Sequence, residues 1–331
     1  MPFNQVLRDC STSPETKLKV IGEQVQPEQI SIDLLDAFGS NPPLVNIPDH
    51  DRFQPKPLPM NTAARFRSDL GSSTFLDSLL VAKESDLLVV GLHGALNQEK
   101  TKLPRFERMS TILNYPVNSM FFGDPALWMS PSLQLSWYTG WNGIDLQRTI
   151  ADWSLAAAKA VGAKKLLFTG SSGGGFAALQ ISSLVANSYA LVFNAQTDIA
   201  NYRINGEGYG AQRTYVDTVW PEIAATFTSH TDIESGTWAD SLGGRASAVK
   251  RYSEPTENYV FIVQNAEEFH FEDHYLPFLE AAKRGGNIAR VKMKTYLDGP
   301  VHAQPKAQTF TENFEEALIW VKDLPNTISE S

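Results

Sequence analysis

The stretch from Lys164 to Leu179, KKLLFTGSSGGGFAAL, leaves this chain few folds to choose from. Leu166, Leu167 and Phe168 form an apolar run short enough for a buried strand, Gly170-Ser171-Ser172-Gly173-Gly174 is a turn, and Phe176-Ala177-Ala178-Leu179 starts a helix-forming segment. The pentapeptide fits G-x-S-x-G in one register only, with Ser172 at its centre, because Thr169 spoils the alternative centred on Ser171. A turn tight enough to lift one side chain above a sheet strains the backbone at the serine. It also presses together the residues two before and two after it, a contact that glycine fits cheaply. Ser172 is therefore the candidate nucleophile. Two rivals share these glycines. One is a plain strand-to-helix turn. The other is a dinucleotide loop, since Gly173-x-Gly175-x-x-Ala178 matches G-x-G-x-x-A, but the next strand, Tyr189 to Phe193, ends in Asn194-Ala195-Gln196 rather than in the acid that would hold a ribose.

The flanking sequence extends the same pattern. Asp86 to Leu92 is a continuous apolar run, as a parallel strand buried on both faces requires, and it ends in His93-Gly94-Ala95. A helical stretch around Pro104 to Leu113 and a strand around Ser119 to Phe122 follow, then an aromatic segment with Trp128, Trp137, Tyr138 and Trp141. Apolar spacing predicts a helix from Asp145 to Val161, stopped by Gly162, and another from Gly175 to Ala186. After an irregular stretch, Tyr259 to Gln264 with Leu276 to Arg284, and Ala289 to Leu297 with Gln308 to Val321, read as two closing strand-and-helix units. The expected class is α/β, a mostly parallel sheet flanked by helices.

Residues 1–60 look different, with short alternations and a proline-rich run from Pro42 to Pro59, and read as a β-rich appendage and linker. Residues 61–325 read as the catalytic domain. Within it, 200–256 breaks the rhythm with scattered aromatics and glycines, which suits a cap lying over the C-terminal edge of the sheet. The whole chain has 331 residues, enough for a full core. Its 28 basic and 37 acidic residues give a net charge of −9, which argues against a nucleic-acid partner. The single cysteine, Cys10, excludes an internal disulfide framework and a multi-cysteine zinc site, and suits a reducing compartment. The first residues carry no signal-peptide pattern, and no apolar run approaches the roughly 20 residues of a spanning helix. The expectation is a cytoplasmic protein with no membrane span.

A serine at neutral pH needs a base, and there are six histidines to choose from. His302 follows the last predicted strand and precedes the last helix, in the order serine, acid, histidine. The acid belongs in the loop after the Tyr259 to Gln264 strand. Glu268 is the first choice, with Glu267, Asp273 and Asp198 as alternatives. Backbone N–H groups of Gly173 and of Ala95, and less directly Gly94, are the expected oxyanion donors. His93, Trp137, Tyr209, Trp220, His270 and His274 are candidates for contact with substrate. His270 and His274 are four apart, as metal ligands on a helix can be, but the glutamate spacing is not H-E-x-x-H and no third ligand is evident, so no metal and no cofactor is assigned.

The order of HGA loop, G-x-S-x-G turn, acid loop and late histidine over about residues 86–322 resembles the α/β-hydrolase superfamily. The runs LLVVGLHGA, GSSGGGFAAL and FNAQTDI also resemble bacterial hydrolase-like proteins associated with surface glycans, including the acyltransferase-like component of the accessory Sec system. That second resemblance implies a serine, glutamate and histidine triad acting on acyl esters of sugars. The expected activity is a serine esterase or acyltransferase with a small-molecule or glycan ester as substrate. The alternative is a catalytically silent module that binds glycan or a partner protein.

Overall fold

The computed structural model describes residues 19–20, 37–202 and 209–328. Ten strands form one sheet: β1 (Lys19–Val20), β2 (Leu44–Ile47), β3 (Thr62–Asp69), β4 (Phe75–Ala82), β5 (Leu87–Leu92), β6 (Asn118–Phe122), β7 (Lys165–Ser171), β8 (Tyr189–Phe193), β9 (Tyr259–Asn265) and β10 (Val291–Tyr296). Their order is β1-β3-β4-β6-β5-β7-β8-β9-β10, with β2 also pairing to β3. Every pairing is parallel except the two made by β4, with β3 and with β6.

The central strands read as two-sided apolar runs because both faces are covered. Leu88, Val90, Leu92, Leu166 and Phe168 belong to one core, while Leu87, Val89 and Leu167 belong to the other. The first core is sealed by α1 (Leu146–Ala160), α2 (Gly173–Ser182) and, after α3 (Tyr209–Val219), by α4 (Leu276–Arg284). The second is sealed by α5 (Ala307–Trp320) through Phe310, Phe314 and Ala317, and by the short turn Met109–Ile112. That turn is all that forms of the helix expected around 104–113: Arg108 sits at φ 56° and blocks a continuous helical path into it.

Much of the appendage expected over 1–60 lies outside the described residues. Its described strands, Lys19–Val20 and Leu44–Ile47, join β3 of the main sheet. In the 200–256 insertion the described residues form α3 and short helical segments at Pro221–Ala224, His230–Glu234, Thr237–Ala246 and Ala248–Tyr252. Tyr215, Val216, Trp220, Trp238 and Leu242 from these segments make a third apolar cluster with Leu135, Trp137 and Phe176. The insertion thus packs beside the first turn of α2, next to Ser172.

Candidate active site

Parallel strands deliver their C-terminal ends, and the loops that follow, to one edge of the sheet. β5 ends before His93-Gly94, β7 before Ser172, β8 before Asn194, β9 before Glu268 and β10 before His302. The turn after β7 is the strained elbow that its glycines require. Ser172 has φ 55° and ψ −121°, outside the ordinary regions for a residue with a side chain, and α2 begins at the next residue. A Cβ at Gly170 would lie 2.4 Å from the Gly174 carbonyl carbon, and one at Gly174 would lie 2.4 Å from Leu92 O and 2.8 Å from His93 C. These are backbone atoms of the sheet and elbow, and they cannot move aside. Gly174→Ala is expected to cost about 2–4 kcal/mol in a urea titration, and a loss under about 1 kcal/mol would reject this account of the turn.

Three side chains from three loops converge. His302 Nε2 lies 2.9 Å from Ser172 Oγ, and His302 Nδ1 lies 2.5 Å from Glu268 Oε2. Glu268 is buried, and its second oxygen accepts a hydrogen bond from Gln264 Nε2 at 2.8 Å. Among the four acids considered, Glu268 is the one bonded to His302. Glu267 accepts instead from the Gly299 N–H at 2.7 Å, which steadies the loop leading to His302. Asp198 is bonded to Ser247 Oγ at 2.6 Å, and burial pushes its carboxyl up from the usual range. Asp273 is exposed on the helical turn Phe271–Tyr275.

The His93-Gly94-Ala95 loop, expected to supply oxyanion donors, lies against the elbow. A Cβ on Gly94 would come 3.0 Å from Ser171 O and 3.6 Å from Ser172 Cβ, so a side chain there would press on the elbow. Gly173 is the first residue of α2, where backbone N–H groups have no helical partner, and Ala95 is exposed next to Gly94. His93 is buried and orients this loop from behind. Its Nδ1–H donates to Gly94 O at 2.8 Å, its Nε2 accepts from the Asp124 N–H at 3.0 Å, and its own N–H donates to Tyr138 Oη at 3.1 Å. Those bonds need a neutral ring, and burial lowers the affinity of His93 for a second proton.

The aromatic and histidine residues expected to touch substrate are placed differently. Trp137 has no exposed surface and donates its indole N–H to Gln196 Oε1, so its ring has no free face for a sugar. Trp220 is 4 % exposed, donates to Tyr215 Oη at 2.7 Å and lies under the Arg245 guanidinium. His93, His270 and His274 are buried as well. Tyr209 starts α3, and its side chain lies outside the described ones. His270 packs 4.0 Å, ring to ring, from His302, and its Nδ1–H donates to Asn194 O at 3.0 Å. His274 Nδ1 accepts from the Thr197 N–H at 3.2 Å. Glu268, His270 and His302 hold ligand-type atoms within 4.8 Å of one another. The facing atoms of Glu268 and His302 are already bonded to each other, so a metal there would replace the Glu268–His302 contact.

The fold has counterparts among solved structures. The fold is that of an α/β-hydrolase. An acylaminoacyl peptidase aligns with a TM-score of 0.55 at 10 % identity, over 82 % of this chain and 43 % of that one. The glycosylation-associated Gap123 complex from Streptococcus agalactiae gives 0.54 at 10 % identity, over 79 % and 46 %. Dipeptidyl peptidase 4 of Porphyromonas gingivalis gives 0.51 at 13 % identity, over 82 % and 36 %. This chain spans less than half the length of these three structures. No family model and no curated protein matches its sequence. No helix among the described residues is long and apolar enough to cross a membrane.

Proposed function

We propose that the protein is a serine-dependent acyl-ester hydrolase or acyltransferase that works through an acyl-enzyme on Ser172. The observation that carries this reading is the unbroken chain from Ser172 Oγ through His302 to Glu268. In the first half-reaction Oγ attacks the ester carbonyl carbon while its proton passes to His302 Nε2. Glu268 holds Nδ1–H and balances the imidazolium. The carbonyl oxygen, now negative, accepts from the Gly173 N–H and from the loop that holds Gly94 and Ala95. His302 then gives its proton to the leaving alcohol. In the second half, water or another alcohol loses a proton to His302 and takes the acyl group from Ser172.

An acylated carbohydrate is the proposed substrate class. The motif resemblance to surface-glycan proteins and the likeness to a glycosylation-associated complex support it. The 200–256 insertion is proposed as the cap that shapes the alcohol side, since its apolar cluster reaches Leu135, which lies over Gly173.

A fluorophosphonate probe reacts with activated serines and tests the nucleophile directly. Wild type is expected to label on one site and Ser172→Ala not at all, in a gel assay after both are shown to be folded. A folded wild type that stays unlabelled would favour the silent binding module. Product partition from an acetyl ester, with and without a sugar acceptor, then separates hydrolysis from transfer.

A further inference from the structure

Ser172 Oγ has a second partner that the triad does not require. Gln196 Nε2 donates to it at 3.1 Å. Gln196 follows β8 in the loop Asn194-Ala195-Gln196, and its backbone N–H also bonds Ser172 O at 3.3 Å, so main chain and side chain both close on the nucleophile. The side chain is fully buried. Its orientation is decided by Trp137: an indole N–H can only donate, so the amide oxygen must face Trp137 and the NH2 must face Ser172.

Trp137 is itself held hard in place. Trp137 and Tyr138 are consecutive residues with φ of 55° and 54°, a backbone state that side chains disfavour. The Asp124 carboxylate secures this turn by accepting from Ser136 Oγ at 2.6 Å and from the Tyr138 N–H at 3.0 Å. Local strain and a buried carboxylate are thus both spent on aiming one indole at one amide.

We infer that Gln196 is a further catalytic residue, a fixed neutral donor to Ser172 Oγ that assists the departure of this oxygen from the acyl-enzyme. The inference rests on Ser172 being the nucleophile. In the resting state Oγ donates its proton to His302 and accepts from Gln196, so both substituents point Oγ toward the carbonyl site. When the acyl-enzyme breaks down, water loses a proton to His302 and adds to the carbonyl. The C–Oγ bond then breaks, and Oγ takes that proton back from His302 Nε2. The electron pair of the breaking bond ends on Oγ, where the Gln196 N–H meets it. The amide exchanges no proton at any stage. A donor to Oγ also tempers its nucleophilicity, so attack gains less than departure.

The test is p-nitrophenyl acetate turnover by Gln196→Met, which keeps the length and loses the donor. The first nitrophenolate burst reports acylation, and the steady state reports deacylation. Deacylation is expected to fall about 10- to 100-fold and the burst rate by less than about threefold. Trp137→Phe, which keeps a ring and frees the amide to turn, is expected to shift the same ratio in the same direction, and it serves as the test should Gln196→Met fail to fold. Equal losses in both phases, or no loss, would overturn the inference while leaving Ser172 as nucleophile. A folded wild type without burst or probe labelling would instead remove the nucleophile reading, and this inference with it.

Discussion

Glu268→Gln is expected to lower kcat by about 10³–10⁴-fold while the protein stays folded. The size of the effect follows from Gln264, which donates to the outer oxygen of Glu268 at 2.8 Å. With an amide at 268, that donor would hold the amide oxygen and turn the NH2 toward His302 Nδ1. His302 would then carry its proton on Nε2, the nitrogen that must accept from Ser172. The wrong tautomer, added to the loss of the charge that balances the imidazolium, disables the base. Glu267→Gln is the control. Its oxygen bonds only a backbone N–H in the loop before His302, so a change within about tenfold is expected. Steady-state rates on an aryl ester, with circular dichroism to confirm folding, decide between them. A crippled Glu267→Gln beside an active Glu268→Gln would reassign the acid.

The second large effect is on stability. His93, His270 and His274 are buried, and burial lowers the proton affinity of each, that of His274 to about 3. In the unfolded chain all three titrate near 6.5. The folded values lie below the unfolded ones, so the unfolded chain gains protons that the fold refuses. Stability is therefore fully present above about pH 6.5 and falls as the pH drops below it. Each histidine contributes up to about 1.4 kcal/mol per pH unit. The losses from the three rings act in the same direction and add as the pH falls. Burial of Asp124 and Asp198 works in the opposite sense, because their carboxyls are shifted up and the fold takes protons more readily there. That relief begins above the ordinary carboxylate range and reaches toward the histidine window, so it offsets part of the histidine loss. Urea titrations at pH 7, 6 and 5 measure the slope. A free energy that is level across that range would contradict the burial of three neutral rings.

What the sequence discloses about this site is what lies close together along the chain or at a topologically fixed place. Ser172 is marked by its own glycines, and His302 by following the last strand. Glu268 shares a loop with another acid, so local sequence ranks it only by position, and bonds to Gln264 and His302 separate it from Glu267. Strands β5, β7, β8 and β9 are apolar enough to read directly. β3 and β4 are not, because Arg67 and Asp77 interrupt their apolar pattern. These two charges face each other across the antiparallel register, 2.8 Å apart, and neutralise one another inside the sheet. In sequence, Trp137 and Trp220 are open to both a core and a substrate-contact reading, because a tryptophan among polar residues looks the same whether it covers a cap core or a sugar. Gln196 carries no local signal at all: its role depends on Trp137, 59 positions away.

The turn at residues 136–139 couples parts that are usually thought of separately. Through Tyr138 it supports the N–H of His93, and so the His93-Gly94-Ala95 loop. Through Trp137 it supports the amide that meets Ser172 Oγ. One carboxylate, Asp124, underlies both. Changes at Asp124, Trp137 and Tyr138 consequently do not combine as independent costs: once one has released the turn, the others have little left to lose.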